Sequence, residues 1–197
     1  MTKPAARFTR LAAADRRAAL IEAALACMAE GGITAFTVDR ISAKAGVSRG
    51  LITHHFGGMA GLLAATYAQL YAQVIPTADS LPPGASRLDA LLDALFAPQF
   101  FNRAALNMWL TMWGAIANTP ELTAEHRLQY ANYINMVAEV IAERAPTARI
   151  DPTHLARTFI CLVDGLSLQH CIDPPSMPAQ MARQACQDFL TLHMRPT

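Results

Sequence analysis

Residues 48 to 55, Ser-Arg-Gly-Leu-Ile-Thr-His-His, gather side chains suited to reading nucleic acid. If a helix starts at Ser48, then Val47, Ile52 and Phe56 fall on its inner side and Arg49, Gly50, Thr53 and His54 face outward, with Leu51 at the border. The Arg49 guanidinium can pair bidentately with guanine, Thr53 or Leu51 can touch a thymine methyl, and Gly50 adds no bulk at the contact. A second chemistry appears further along. In Asn-Met-Trp-Leu-Thr-Met-Trp, Trp109 and Trp113 stand four residues apart on one helical face, beside Met108 and Met112. Asp164 lies within Phe-Ile-Cys-Leu-Val-Asp-Gly-Leu-Ser-Leu-Gln, an apolar run in which an unpaired carboxylate is costly. Aromatic faces with a buried acid suit a cation, above all a quaternary ammonium group. The same residues also fit a plainer use: tryptophans as core or dimer packing, and Asp164 as the partner of a serine, histidine or backbone amide.

Helices must hold these residues in place. Thr37 can cap a short helix, Asp39 suits its positive end, and Val38, Ile41 and Ala45 give it one apolar face. Gly46 follows where the chain must turn through the left-handed conformation. Ser48 is read as the cap of the next helix. Two short helices around a glycine form a helix-turn-helix pattern, flanked by a longer helix over Asp15 to Glu30 and by an amphipathic run after Gly57-Gly58 that ends at Pro76. Charge is divided in the same sense. Residues 1–75 hold eight basic and four acidic residues, a net +4, while the rest hold eight basic and eleven acidic, a net −3. A basic head on a mildly acidic body suits a protein that meets phosphate at one end.

Beyond a compact Pro76 to Ser86 connector, helix signals recur over Leu88 to Phe96, Arg103 to Ala117, Glu121 to Ala145, Thr153 to Cys171 and Ala179 to His193. Thr119 and Asp151 each stand before a first-turn proline as caps. The last two helices are too apolar for one subunit to cover: Leu155 to Ile172 is apolar on nearly every side, and Met181, Ala182, Ala185, Cys186, Phe189 and Leu190 form a second face. A four-helix homodimer interface is the expected solution. No apolar run reaches about 18 residues, so no membrane span is expected, and the N-terminus lacks a signal-peptide core. Cys27, Cys161, Cys171 and Cys186 lack zinc-like spacing and are expected as buried reduced thiols. The absence of HExxH, of a phosphate-cradling glycine loop and of Gly-x-Ser-x-Gly argues against an enzyme. No metal, cofactor or catalytic residue is expected, and the protein is expected in the cytoplasm.

The order of residues in TVDRISAKAGVSRGLITHHFGGMAGLL resembles the signature of the TetR family of bacterial one-component repressors. The resemblance implies an all-α fold, with residues 1–57 as the DNA-binding domain and residues 58–197 as connector helix plus effector-binding and dimerisation domain. It further implies that Thr37 and Ser48 meet DNA phosphates, that Arg49, Gly50, Leu51, Thr53 and His54 lie along base edges, and that His55 occupies a phosphate-contacting position. Two residues depart from the pattern. Thr53 stands where the family commonly has tyrosine, and Met59 where a lysine grips phosphate, which should make the salt slope shallower by about 1 per half-site. Lys3, Arg7 and Arg10 in the N-terminal arm are placed to compensate.

The body, with its tryptophan segment and Leu-Val-Asp-Gly-Leu, is similar to BetI-type TetR regulators, which control choline-to-betaine genes and respond to choline. The expected mechanism follows from that similarity. A homodimer binds a palindromic operator in double-stranded DNA, and a small-molecule effector near Trp109, Met112, Trp113 and Asp164 tilts the connector helix and weakens binding. A choline-like cation is the leading effector. Control of an efflux or catabolic operon by an apolar or aromatic ligand, and ligand-independent DNA binding, remain as alternatives.

Overall fold

A computed structural model describes residues 13–74, 84–145 and 150–194. Among the described residues nine helices follow in order: α1 (Ala13–Gly31), α2 (Val38–Ala45), α3 (Gly50–Phe56), α4 (Met59–Val74), α5 (Arg87–Leu95), α6 (Arg103–Ala117), α7 (Pro120–Arg144), α8 (Pro152–Ile172) and α9 (Ala179–His193). A 3-10 turn over Gly32–Ala35 joins α1 to α2. No strand occurs among the described residues, as expected for an all-α chain. Lys3, Arg7 and Arg10, and most of the Pro76 to Ser86 connector, lie outside the described residues.

The chain ends where its local chemistry says it should. Thr37 accepts a hydrogen bond from the Arg40 amide, Ser86 from that of Asp89, Asn102 from that of Ala105, and Asp151 from those of Thr153 and His154. Gly46 ends α2 at φ 66°, a conformation costly to any residue with a Cβ. Two expected caps are not made. The N-cap of α3 is Arg49, without a side-chain cap bond, because the helix starts two residues after Ser48, whose carbonyl accepts from Leu51. Thr119 likewise precedes Pro120 without a cap bond. Proline at the first helical position has no amide to satisfy and itself fixes the entry geometry.

Two apolar clusters organise the molecule. The head packs Leu20, Ala24 and Cys27 of α1 against Ile41 of α2, Ile52 of α3 and Leu62 of α4. The body packs Tyr67, Leu70 and Tyr71 of α4 with α5 to α9. Helix α4 therefore contributes to both, with Leu62 in the head and Leu63 in the body. Stretch Ala14–Ala35 is long and apolar enough to cross a membrane by length and composition. Its Leu20, Ala24, Cys27 and Met28 are nevertheless fully buried, which is what a core helix does.

The junction of head and α4 depends on Gly61. A Cβ built there would lie 1.9 Å from the Phe56 carbonyl oxygen, so only glycine lets α4 start this close to the end of α3.

The last two helices bury more of their apolar surface within the subunit than expected. Ala182, Cys186 and Leu190 are fully covered by the body core, so they do not form a free face. What stays open on α8 is the stripe Cys161, Gly165, Leu168 and Ile172, and on α9 the stripe Met181, Asp188 and Leu192, with Ala185 half-exposed. Cys161 is accordingly exposed rather than buried, whereas Cys27, Cys171 and Cys186 are buried, and all four thiols are free.

Candidate nucleic-acid interface and body cavity

Helix α3 presents one side to solvent. Ser48, Arg49, Gly50, Thr53 and His54 are exposed, Ile52 is buried and Leu51 is half-buried against the head core. The inward turn of Leu51 limits it to the edge of any base-reading surface. The Arg49 Nε lies 2.8 Å from the Asp39 Oδ1 on α2, with side chains 73% and 63% exposed. An ion pair this open to solvent contributes between nothing and about 1 kcal/mol, so its effect is on where the guanidinium points. Pairing through Nε leaves both terminal nitrogens for a guanine edge.

The end of the helix is less open. His55 turns its Nε2 into the protein, where that atom has no partner, and its ring stands edge-on to His54 at 5.0 Å and Phe56 at 6.3 Å. A phosphate contact by His55 therefore cannot run through Nε2 in this conformation. The Arg17 guanidinium lies 5.0 Å over the Phe56 ring and holds a positive charge against the end of α3. Lys44 pairs with Glu30 at 2.6 Å, which keeps that lysine's pKa raised and the acid's lowered.

In the body, a partly open cavity of about 60 Å³ is walled by Trp109 and Trp113 from α6, Tyr71 from α4, Tyr133 from α7, and Asp164 and Ser167 from α8. Leu95 and Phe100 also line it. That is room for only a few waters. The tryptophan rings lie 6.0 Å apart, and Tyr71 meets Trp109 edge-on at 4.9 Å and Tyr133 at 5.8 Å. Asp164 makes no hydrogen bond or ion pair among the described residues, and burial pushes its pKa up to about 7. Its charge in turn raises the pKa of Tyr67, Tyr71, Tyr130 and Tyr133, with burial the larger cause in each. Tyr71 is pushed up to about 12, so every phenol stays protonated near neutral pH.

The structure brings Trp109, Trp113 and Asp164 together from two helices. Met112 is separated from them. It is fully buried in the body core and lines no part of the cavity, because the position before Trp113 points about 100° away around the helix. The tyrosines were missed from sequence. Tyr71 and Tyr133 line the cavity with Asp164 and both tryptophans, while Tyr67 and Tyr130 lie about one turn away along α4 and α7. Their signal was the pairing of Tyr67 with Tyr71 and Tyr130 with Tyr133 at one-turn spacing.

A broad open groove of about 700 Å³ separates head from body, between Ile33, Phe36 and Val38 on one side and Leu110, Gly114 and Asn118 on the other. Met59, at the position where lysine was expected, lies in this groove rather than on the α3 surface.

Comparison with known proteins gives two family matches. Residues 20–66 match bacterial regulatory proteins of the tetR family, and residues 82–195 match the C-terminal domain of BetI-type transcriptional repressors. The HTH-type transcriptional regulator BetI 2 of Chromohalobacter salexigens is 31% identical over 182 residues, covering 89% of this chain and 86% of that protein. The regulator BetI of Escherichia coli is 29% identical over 186 residues, covering 91% and 94%. Among solved structures, a transcriptional regulator from Pseudomonas aeruginosa PAO1 superposes with a TM-score of 0.77 at 31% identity, covering 95% and 94%. A regulator from Saccharomonospora viridis, solved in complex with choline, shares the fold at TM-score 0.74 and 20% identity, covering 90% and 96%.

Proposed function

The chain belongs to the TetR family of bacterial regulatory proteins and carries a BetI-type C-terminal repressor domain, and from that premise we propose a repressor that a choline-like cation releases from its operator. It is a transcription regulator with a helix-turn-helix head, and not an enzyme. In this reading residues 1–57 form the DNA-binding unit, and residues 58–197 the connector, effector and dimerisation unit. Two copies pair through the open stripes of α8 and α9, so that in the cytoplasm both α3 helices face one palindromic operator. Thr37, Ser48 and His55 meet phosphates, while Arg49, Gly50, Leu51, Thr53 and His54 lie along the base edges.

The effector enters between Trp109, Trp113 and Asp164. One observation carries this reading: Tyr71, Tyr133 and both tryptophans line a pocket with one uncompensated acid, Asp164, and among the described residues no lysine or arginine lines it. A quaternary ammonium matches both features, since it is attracted to aromatic faces and supplies the charge that a buried carboxylate lacks. The same-fold regulator holding choline supports the choice. A cation that prefers the state with widely spaced recognition helices lowers operator affinity by as much as it differentiates the two states. The groove between head and body gives α4 space to move.

The test is anisotropy of labelled DNA from upstream of the protein's own gene, titrated with protein in the presence and absence of choline. Saturating choline is expected to weaken binding by about 5- to 150-fold, and scrambled DNA to bind weakly throughout. Equal affinity for operator and scrambled DNA would sink the repressor reading. Unchanged operator affinity, with calorimetry detecting no choline uptake, would remove the cation.

A further inference from the structure

We propose that Tyr67 and His126 carry occupancy of the aromatic cavity to the head, as positioning residues that hold the connector helix α4 against α7. The inference rests on the effector reading above and adds the route by which the cavity acts.

The cavity is too small for the ligand it fits. At about 60 Å³ it takes a few waters, so a choline-sized cation of seven non-hydrogen atoms seated between the rings pushes the walls apart. One of those walls is the helix that has to move. Tyr71 belongs to α4 and stands edge-on to Trp109, so widening the space between the two rings displaces α4 relative to α6. Close-packed interiors respond to such a push by moving between discrete arrangements rather than by stretching.

One turn closer to the head, Tyr67 lies on the same face of α4 as Tyr71. It is almost fully buried, with its hydroxyl 3.3 Å from that of Tyr71 and 2.7 Å from the Nδ1 of His126 on α7. The Tyr67 to His126 contact joins α4 to α7 by a short side-chain hydrogen bond. His126 is itself held by its ring, stacked on Tyr130 at 5.2 Å and 24°. Burial lowers the pKa of His126, which keeps the imidazole neutral and able to use Nδ1 as either donor or acceptor.

A phenol has one proton. Tyr67 therefore donates to His126 while accepting from Tyr71, or donates to Tyr71 while accepting from an Nδ1–H of His126. A cation in the cavity favours the first order, because it leaves the lone pairs of the Tyr71 oxygen toward the positive charge and sends its proton away. The empty cavity has no such preference. Occupancy thus acts twice on the same link, by displacing Tyr71 and by setting the direction of the bonds that tie Tyr67 to α7. From Tyr67 the displacement runs down α4 to Leu62 in the head core and to Gly61 under α3.

The experiment separates binding from response in the full-length protein. Choline affinity is measured directly by calorimetry and by tryptophan fluorescence, and operator affinity with and without saturating choline by anisotropy. Tyr67→Phe removes both hydrogen bonds and keeps the ring. It is expected to bind choline within about threefold of wild type, while the effect of choline on operator affinity falls from the about 5- to 150-fold range to about twofold or less. His126→Phe should behave alike, and His126→Asn, which restores a polar atom near the Nδ1 position, should regain part of the response. A merely structural role would lower melting temperature and both affinities together without this split. Full choline response in Tyr67→Phe overturns the relay alone. A wild type that takes up no choline, or takes it up without releasing DNA, overturns the relay together with the effector reading.

Discussion

The head and the body solve opposite problems with their polar groups. On the head, Arg49, Thr53 and His54 stand in solvent on one side of a single short helix, and nothing needs to move for them to reach a partner. In the body, Asp164 on α8 is largely withdrawn from water among tyrosines and tryptophans from three other helices, in a space of about 60 Å³. Such an arrangement suits a surface that recognises and an interior that senses. Exposed groups cost little to display, while the destabilised interior acid stores a preference that a cation can satisfy. The difference predicts that the two regions can be damaged separately, except where they meet.

The meeting point gives the largest effect. Gly61→Ala drives a methyl group into the Phe56 carbonyl, so α3 and α4 must part. Overpacking of this kind costs about 1–3 kcal/mol, and thermal melts should fall by about 2–12 °C with operator binding lost. An unchanged melt would show that the junction has slack.

Next comes the separability itself. Arg49→Ala should weaken operator binding about 10- to 100-fold and leave choline affinity unchanged, while Trp109→Ala should do the reverse. Parallel losses of both affinities in either variant would erase the distinction between the regions.

The pH response sharpens the view of the interior. Since the Asp164 pKa is raised to about 7 in the folded chain, the carboxyl is neutral in both states below its unfolded value and charged in both above pH 7. Folding stability from this group is therefore full at low pH and is lost as pH rises through about 7. Binding of a fixed cation pulls the other way, releasing a proton. Choline affinity should fall by at most about tenfold per pH unit below 7 and level off above it, and Asp164→Asn should be weak and flat across the range. Calorimetry in buffers of different ionisation heat would detect the released proton, and a flat wild-type profile would remove Asp164 from the cation site.

The smallest effect concerns the edge of the head. Met59→Lys should raise operator affinity only a few-fold, with a salt slope steeper by about 1 per half-site. Because Met59 lies in the groove between head and body, an unchanged slope would mean that the groove keeps position 59 away from the phosphates.

Much of the head was legible residue by residue. Thr37, Gly46 and the alternation of Ile52 with Thr53 and His54 express rules that act within a turn or two of chain, and the structure follows them. Where prediction slipped there, as with the Ser48 cap, the cap moved by one residue, to Arg49. In the body the helices were equally legible, but the cavity was only partly so. Trp109, Trp113 and Asp164 signalled themselves by residue type, whereas Tyr71 and Tyr133 passed unremarked in the sequence and Met112 read as a neighbour of the tryptophans.

The sequence by itself determined the helices, most of their caps and the exposed face of α3, because hydrogen bonds to the i−4 carbonyl and an apolar period of 3.6 are local facts. Tertiary structure alone decided which aromatic rings face Asp164, which apolar residues of α8 and α9 remain open, and that Gly61 must be bare. Those outcomes depend on the rotation and separation of helices far apart in the chain, set by how their side chains interlock in a close-packed core.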